Sequence, residues 1–239
     1  MQSVKLDAVY DVLFKRYGPQ DWWPGDGPFE IMIGAILTQN TAWTNVEKAI
    51  ANLKHAGMFD ASKITGSTIS KLARLIRPSG YFNIKAQRLK NFCKWYLSKG
   101  GFEALDTLDT DSLRRDLLSV NGIGYETADD ILLYAFHRPV FVIDAYTRRL
   151  FSRLEIVDGT EHYDKMRVCI EQSLQENQIC GNCDRKNNKK SQSLLVGLYN
   201  EYHALIVYHG KHICRKRPQC RACCVKTLCP SAAIFLENH

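Results

Sequence analysis

No apolar run in this 239-residue chain approaches the roughly 18 residues that a membrane-spanning helix needs. The opening MQSVKLDAVYDVLFKRYG mixes acids into an amphipathic stretch and is unlike a secretion signal, so a soluble, cytoplasmic protein without membrane contact is expected, nucleoid-associated if bacterial. An odd number of cysteines, nine, in such a compartment argues against a disulfide framework and makes metal ligation the first expectation for any well-spaced group. Strand-forming runs are scarce: PVFVI, residues 139–143, is the one good strand candidate and is too short to build a sheet. No internal repeat is visible. Acidic residues are missing from Tyr202 to Leu236, where Lys211, Arg215, Lys216, Arg217, Arg221 and Lys226 carry nearly all of the formal charge of +7. That segment favours a polyanionic partner; a merely solvated basic face is the alternative.

Helical periodicity dominates what is present. With 45% hydrophobic residues, the chain can bury one sizeable core or two small ones. FEIMIGAILTQNTAWTNVEKAIANLKHAG spaces Phe29, Ile33, Ile36 and Leu37, then Val46, Ala49, Ile50 and Leu53, at helical intervals with a break at Gln39-Asn40-Thr41. Helices are also predicted over 70–76, 83–97, 111–118, 125–136, 145–154 and 162–175, separated by glycine- and proline-containing turns. The polar GNCDRKNNKKSQS, residues 181–193, reads as a mobile loop or insertion. The fold class is all-α.

Two constellations carry chemistry. In VNGIGYETADDILLYA, Gly122 and Gly124 keep side chains away from a turn that exposes amide N–H groups at a helix start, a natural anion site. Helix, glycine hairpin and second helix can grip one DNA strand through its phosphates with Asn121, Gly122, Ile123 and Gly124, which positions without reading sequence. About twenty residues later comes VIDAYTRR, with Asp144 either an ordinary helix N-cap or a catalytic carboxylate, roles that need not exclude each other. The second constellation is CRKRPQCRACCVKTLC, in which Cys214, Cys220, Cys223 and Cys229 are spaced C-x5-C-x2-C-x5-C. Four thiolates in one short loop point to a metal, an iron–sulfur cluster or a four-sulfur zinc site, with Cys224 a spare thiol. Cys180 and Cys183 form a separate C-x2-C and read as unpaired surface thiols, whereas His203 and His209 of YHALIVYHG read as packed helix histidines.

The hairpin followed by the aspartate resembles the helix-hairpin-helix, glycine/proline/aspartate superfamily of DNA glycosylases, its endonuclease III branch above all. The resemblance extends from the Trp22 region to Cys229. It implies two helical domains with a DNA-binding, base-accepting cleft: a six-helix barrel over 26–136, and a discontinuous domain from 1–25 and 137–239 carrying a 4Fe-4S loop at 214–229. The first cysteine gap is five here where the family's is usually six. Basic Arg215, Lys216 and Arg217 then sit on a loop that the cluster shapes for phosphate contact.

Residue by residue, the resemblance makes Asp144 the catalytic aspartate. The branch's lyase lysine corresponds to Glu126, which cannot form an imine, so hydrolysis without strand cleavage is expected. Trp22, Trp23 and Pro24 ahead of Trp43 resemble the base pocket of the 3-methyladenine DNA glycosylase members, and Lys211 could face it. An electron-rich slot suits electron-poor alkylated purines. Gln39 is expected to fill the gap left by a flipped nucleotide. The resulting expectation is a monomeric, monofunctional glycosylase that removes alkylated purines such as 3-methyladenine from damaged double-stranded DNA. The alternatives are a glycosylase for oxidised pyrimidines or mispaired bases, and a non-catalytic, metal-stabilised DNA-binding module.

Overall fold

The computed structural model describes residues 6–22, 25–176 and 189–237. All regular elements among them are helical. The chain divides into two compact units, Trp23–Phe136 on one side and Met1–Trp22 with His137–His239 on the other. In chain order, the second of these contributes α1 (Leu6–Tyr17), and the first contributes α2 (Pro28–Thr38), α3 (Trp43–His55), α4 (Ala61–Gly66), α5 (Ile69–Leu75), α6 (Phe82–Ser98), α7 (Gly101–Asp106), α8 (Thr110–Leu118) and α9 (Tyr125–Asp130). The chain then returns to the discontinuous unit as α10 (Ala145–Arg153), α11 (Tyr163–Glu176), α12 (Lys189–His212) and α13 (Pro230–Glu237).

Within Trp23–Phe136, α2 is the central helix because its sequence is apolar all round: Met32, Ile33, Ala35, Ile36 and Leu37 are all buried. It is packed by α3, α6, α9 and the π-helical turn Ile131–Ala135 that continues α9. That turn closes with Phe136 N–H reaching Ile131 O at 3.2 Å, so the helix expected over 125–136 is present but widens in its second half. The polar break after α2 is also built from within the unit. Gln39 leaves the helix into a turn closed by Thr41 N–H on Thr38 O (2.9 Å), and Asn40 takes a left-handed conformation there (φ +54°), which asparagine tolerates better than most residues.

Beneath that break lies a buried lysine. Lys85 of α6 is 1% exposed, and its ammonium donates to Leu37 O (2.7 Å), Thr41 Oγ1 (2.6 Å) and Ser79 O (2.6 Å). Three donors thus meet three acceptors, from the end of α2, the following turn and the 3-10 turn Arg77–Ser79. Thr41 in turn donates to Ser79 O.

In the discontinuous unit, α12 is the long central helix, burying Tyr199, Tyr202, Ala204, Leu205 and Ile206 and packing on α1 and α10. It begins at Lys189, so 189–193 of the expected polar loop are helical: Gln192 and Ser193 are exposed on the helix surface, where polar side chains are tolerated, and Leu195, Leu198 and Tyr199 continue an apolar stripe. Residues 181–188, with Cys183, and Cys180 lie outside the described residues. The PVFVI segment differs from the expected strand. It is mostly buried and pairs with no strand among the described residues; side chains of α11 take two of its backbone N–H groups instead: Phe141 N–H donates to Glu171 Oε1 (2.8 Å) and Ile143 N–H to Tyr163 Oη (3.2 Å). Among the described residues, no helix is long and apolar enough to cross a membrane.

Candidate functional site

Asp144 follows this segment and begins α10. Its Oδ1 accepts the Thr147 N–H at 2.6 Å, the geometry of a helix N-cap, so Asp144 caps α10. The other oxygen is not used by the cap. Oδ2 lies 3.8 Å from Nε2 of His203, a buried histidine of α12, which is an ion-pair distance rather than a formed hydrogen bond. Burial by itself would raise the carboxyl's pKa, but the His203 ring and the Thr147 amide outweigh it and hold Asp144 below the ordinary carboxylate range. A buried carboxylate is thereby kept ionised. Trp22 packs over the same histidine, ring centroids 6.0 Å apart and planes 25° from parallel. Trp23 and Pro24 lie outside the described residues.

In Trp23–Phe136, α8 and α9 flank the turn Val120–Gly124. Gly122 has φ +100° there, and α9 starts at Gly124 without a side-chain cap, with its N-terminal end at the turn. Ile123 is buried, anchoring the turn, while Asn121 and Gly124 are exposed. Helix α6 braces it: Asn91 Nδ2 donates to Asn121 O at 3.0 Å. Gln39 is tied to the same turn, its Nε2 donating to Gly122 O (3.1 Å) and Thr127 Oγ1 (2.8 Å) while Oε1 accepts from Arg88 Nη1. The side chain expected to fill a vacated base position is therefore held by the hairpin, and would have to exchange these bonds to leave it. Beside them, an open groove of about 510 Å³ is lined by Asn83, Ile84, Gln87, Arg88, Asn121 and Gly122. Glu126 is exposed in the first turn of α9. Trp43 is half-buried and donates its indole N–H to Glu47 Oε1 at 3.0 Å.

The hairpin can be tested at its glycines. A Cβ on Gly122 would come within 2.4 Å of Arg88 Cγ, on top of the left-handed backbone, whereas one on Gly124 meets nothing within 4 Å. Gly122→Ala is expected to cost about 1–3 kcal/mol of stability and to weaken binding to undamaged duplex, with Gly124→Ala much milder on stability. Thermal melts and fluorescence anisotropy of the two variants check this; equal melting points would show that the Gly122 turn is not constrained.

The cysteine loop belongs to the discontinuous unit. Cys214, Cys220, Cys223 and Cys229 line one small cavity of about 20 Å³, with Arg153, Ile213 and Val225 among the other lining residues. Among the described residues, no three His, Cys, Asp or Glu side chains converge closely enough to hold a metal ion as they stand. Burial, then the neighbouring thiolates, raises the pKa values of Cys220, Cys223 and Cys229, that of Cys223 to about 12. Ionising the set together therefore requires a positive partner among the sulfurs, which suits the donor chemistry of a metal-held group. Arg153 supplies part of such charge, with Nη1 3.1 Å from Cys214 Sγ. His209, the second of the two helix histidines, is fully buried, bonded to Tyr17 Oη at 2.8 Å and 3.6 Å from Cys223 Sγ, and burial lowers its pKa to about 4.

Two arginines of α10 went unassigned in the sequence reading. Arg149 donates to Cys214 O (2.7 Å) and Gly210 O (2.9 Å), and Arg153 to Arg215 O (2.7 Å) and Lys216 O (3.0 Å). They pin the loop backbone so that Arg215, Lys216 and Arg217 stay exposed. Their i, i+4 spacing on one face was the available signal. Lys211, in the last turn of α12, is exposed.

A glycine hairpin between helices, an ionised buried aspartate at the next helix start and a basic cysteine loop define a DNA-repair class of helical protein, and the comparisons agree. Residues 33–176 match the HhH-GPD superfamily of base excision DNA repair proteins. The chain belongs to that superfamily and is an endonuclease III-like helix-hairpin-helix glycosylase. It is 43% identical over 226 residues to a candidate DNA repair glycosylase of Methanocaldococcus jannaschii, covering 93% of this chain and 94% of the relative. The solved 3-methyladenine DNA glycosylase of H. pylori, bound to 1,N6-ethenoadenine, is similar at TM-score 0.71 and 33% identity over 85% of this chain and 96% of that one. An endonuclease III–DNA complex shares the fold at TM-score 0.75 and 19% identity, covering 97% of both chains.

Proposed function

We propose that this protein is a monofunctional, monomeric glycosylase that removes alkylated purines such as 3-methyladenine from damaged double-stranded DNA. The observation that carries the reading is Asp144, a buried carboxylate kept ionised with one oxygen outside its capping bond. Breaking an N-glycosidic bond develops positive charge on the sugar, which a fixed carboxylate stabilises while it orients water. Glu126 in the lyase-lysine position supports hydrolysis without a Schiff base. Trp22 supports an aromatic slot, into which an electron-poor base stacks with a gain of roughly 0.5–2 kcal/mol; Trp23, Pro24, Trp43 and Lys211 are its proposed companions. Gly122 and its neighbours grip phosphate, Gln39 fills the vacated position, and Arg215, Lys216 and Arg217 add salt-sensitive contacts.

Cys214, Cys220, Cys223 and Cys229 are proposed to hold a 4Fe-4S cluster, with zinc the other sulfur-ligated possibility. Bound there, it would supply a structural cross-link of the basic loop.

The test is to incubate purified protein with duplexes carrying 3-methyladenine, thymine glycol or a mispair, and to identify the released base. Release of 3-methyladenine, with no borohydride-trapped adduct, is expected. Activity only on the other two substrates would reject the substrate choice, and a covalent adduct would reject hydrolysis alone. Elemental analysis and the visible spectrum of the same sample separate iron from zinc.

A further inference from the structure

We infer that His203 is a positioning residue for Asp144, fixing the carboxylate oxygen that the helix cap leaves over and joining it to the aromatic Trp22. The inference rests on the reading of Asp144 as the catalytic carboxylate. Sequence alone places His203 among the packed faces of α12, and it is packed, 3% exposed. Packing does not explain its neighbours. Its Nε2 lies 3.8 Å from Asp144 Oδ2, its face lies on Trp22, and the elements that present these groups, α10, α12 and the segment after α1, all belong to one compact unit.

The surrounding charges sharpen the assignment. Arg148 of α10 turns to Gly159 O and Glu161 O, and Arg149 to Gly210 O and Cys214 O. On α12, Glu201 accepts from Gln20 N, while Asp7 and Asp11 of α1 act on Tyr202. Among the described residues, His203 is the ionisable side chain that favours the charged form of Asp144, and the neutral Thr147 favours it as well. A cap bond fixes one oxygen and leaves the carboxyl free to swing about it. A second contact, on the opposite oxygen, restricts that swing and holds the negative charge in one place, as a preorganised electrostatic site requires. Because His203 also stacks on Trp22, a base seated against that indole would press on the same ring that orients the carboxylate.

The test compares wild type with His203→Phe, which keeps a ring to pack on Trp22, and His203→Asn, which keeps an N–H to offer the carboxylate. Single-turnover release of an alkylated purine and the Kd for the damaged duplex are measured across the acidic and neutral range. Asp144 must be ionised to act, so its pKa sets the acid limb of the rate profile. With His203 gone the burial that raises that pKa remains, and the limb moves to higher pH. His203→Phe is expected to move it upward by about one pH unit and to slow release by roughly tenfold or more at neutral pH, with Kd changed by less than about threefold. His203→Asn is expected to recover part of the rate. An acid limb that stays in place in a folded His203→Phe protein overturns the inference; if that variant does not fold, His203→Leu, which offers the carboxylate no N–H, takes its place, and an unmoved limb there overturns it. Asp144→Asn, run alongside, separates the two readings. If it releases base normally, the Asp144 reading fails and takes this one with it; if it is inactive while the His203 limb stays unmoved, only the present inference fails.

Discussion

Asp144→Asn is expected to lower single-turnover base release by roughly a hundredfold to a thousandfold while leaving the protein folded and able to bind damaged DNA. The substitution isolates charge from structure. Asparagine is about as good an N-cap as aspartate, so its side-chain oxygen still accepts the Thr147 N–H and α10 keeps its first turn. What disappears is the negative charge that the proposed mechanism sets next to the developing cation of the sugar. Asp144→Ala removes the cap as well and is expected to cost about 1 kcal/mol of stability besides. A circular dichroism melt, a binding isotherm and a single-turnover assay on the same preparations distinguish these effects. If the asparagine variant releases base at the wild-type rate, the residue is a helix cap and nothing more. If the wild type itself binds but releases no base, the DNA-binding module is the right description.

The second large effect concerns stability. Lys85→Met should destabilise the unit Trp23–Phe136 by about 2–5 kcal/mol, since methionine fills most of the volume but leaves Leu37 O, Ser79 O and Thr41 Oγ1 without their shared donor. Denaturant titration measures it, and an unchanged midpoint would mean that the clasp contributes nothing. A pH signature accompanies it. Burial, with a smaller push from Arg88, lowers the amine's pKa from 10.5 to about 8. Between those values the unfolded chain carries a proton that the folded chain has lost, so this residue's contribution to stability rises with pH through that window. The methionine variant should lack the rise. The turn that Lys85 holds is also the one that presents Gln39, so under the proposed function the variant should lose activity as well.

Much of the site was legible from residue type and spacing. A glycine pair before a helix start needs no tertiary knowledge, because Gly122 must adopt a backbone that other residues resist. The N-cap geometry of Asp144 and the helices of the 125–136 and 145–154 regions are local properties, set by residues three or four apart. The errors were local readings overruled by distant partners. PVFVI reads as a strand because Val140–Ile143 are β-branched or aromatic, yet Glu171 and Tyr163 occupy two of its backbone N–H groups. Residues 189–193 looked like loop because they are polar, yet they extend a helix whose apolar stripe lies further along.

By itself the sequence determined that the chain is helical, that a glycine hairpin precedes a capped aspartate, and that four cysteines lie in one basic loop, since periodicity, backbone freedom and residue spacing act over short distances along the chain. Tertiary structure alone decided that His203 faces the second oxygen of Asp144, that Arg149 and Arg153 pin the basic loop, and that Lys85 closes on three acceptors from three separate segments. These contacts join residues about 6 to 65 positions apart. Each joins a polar group to a matched partner elsewhere along the chain, at its most costly to lose where the group is buried, as at Lys85, and no local pattern records which partner such a group will meet.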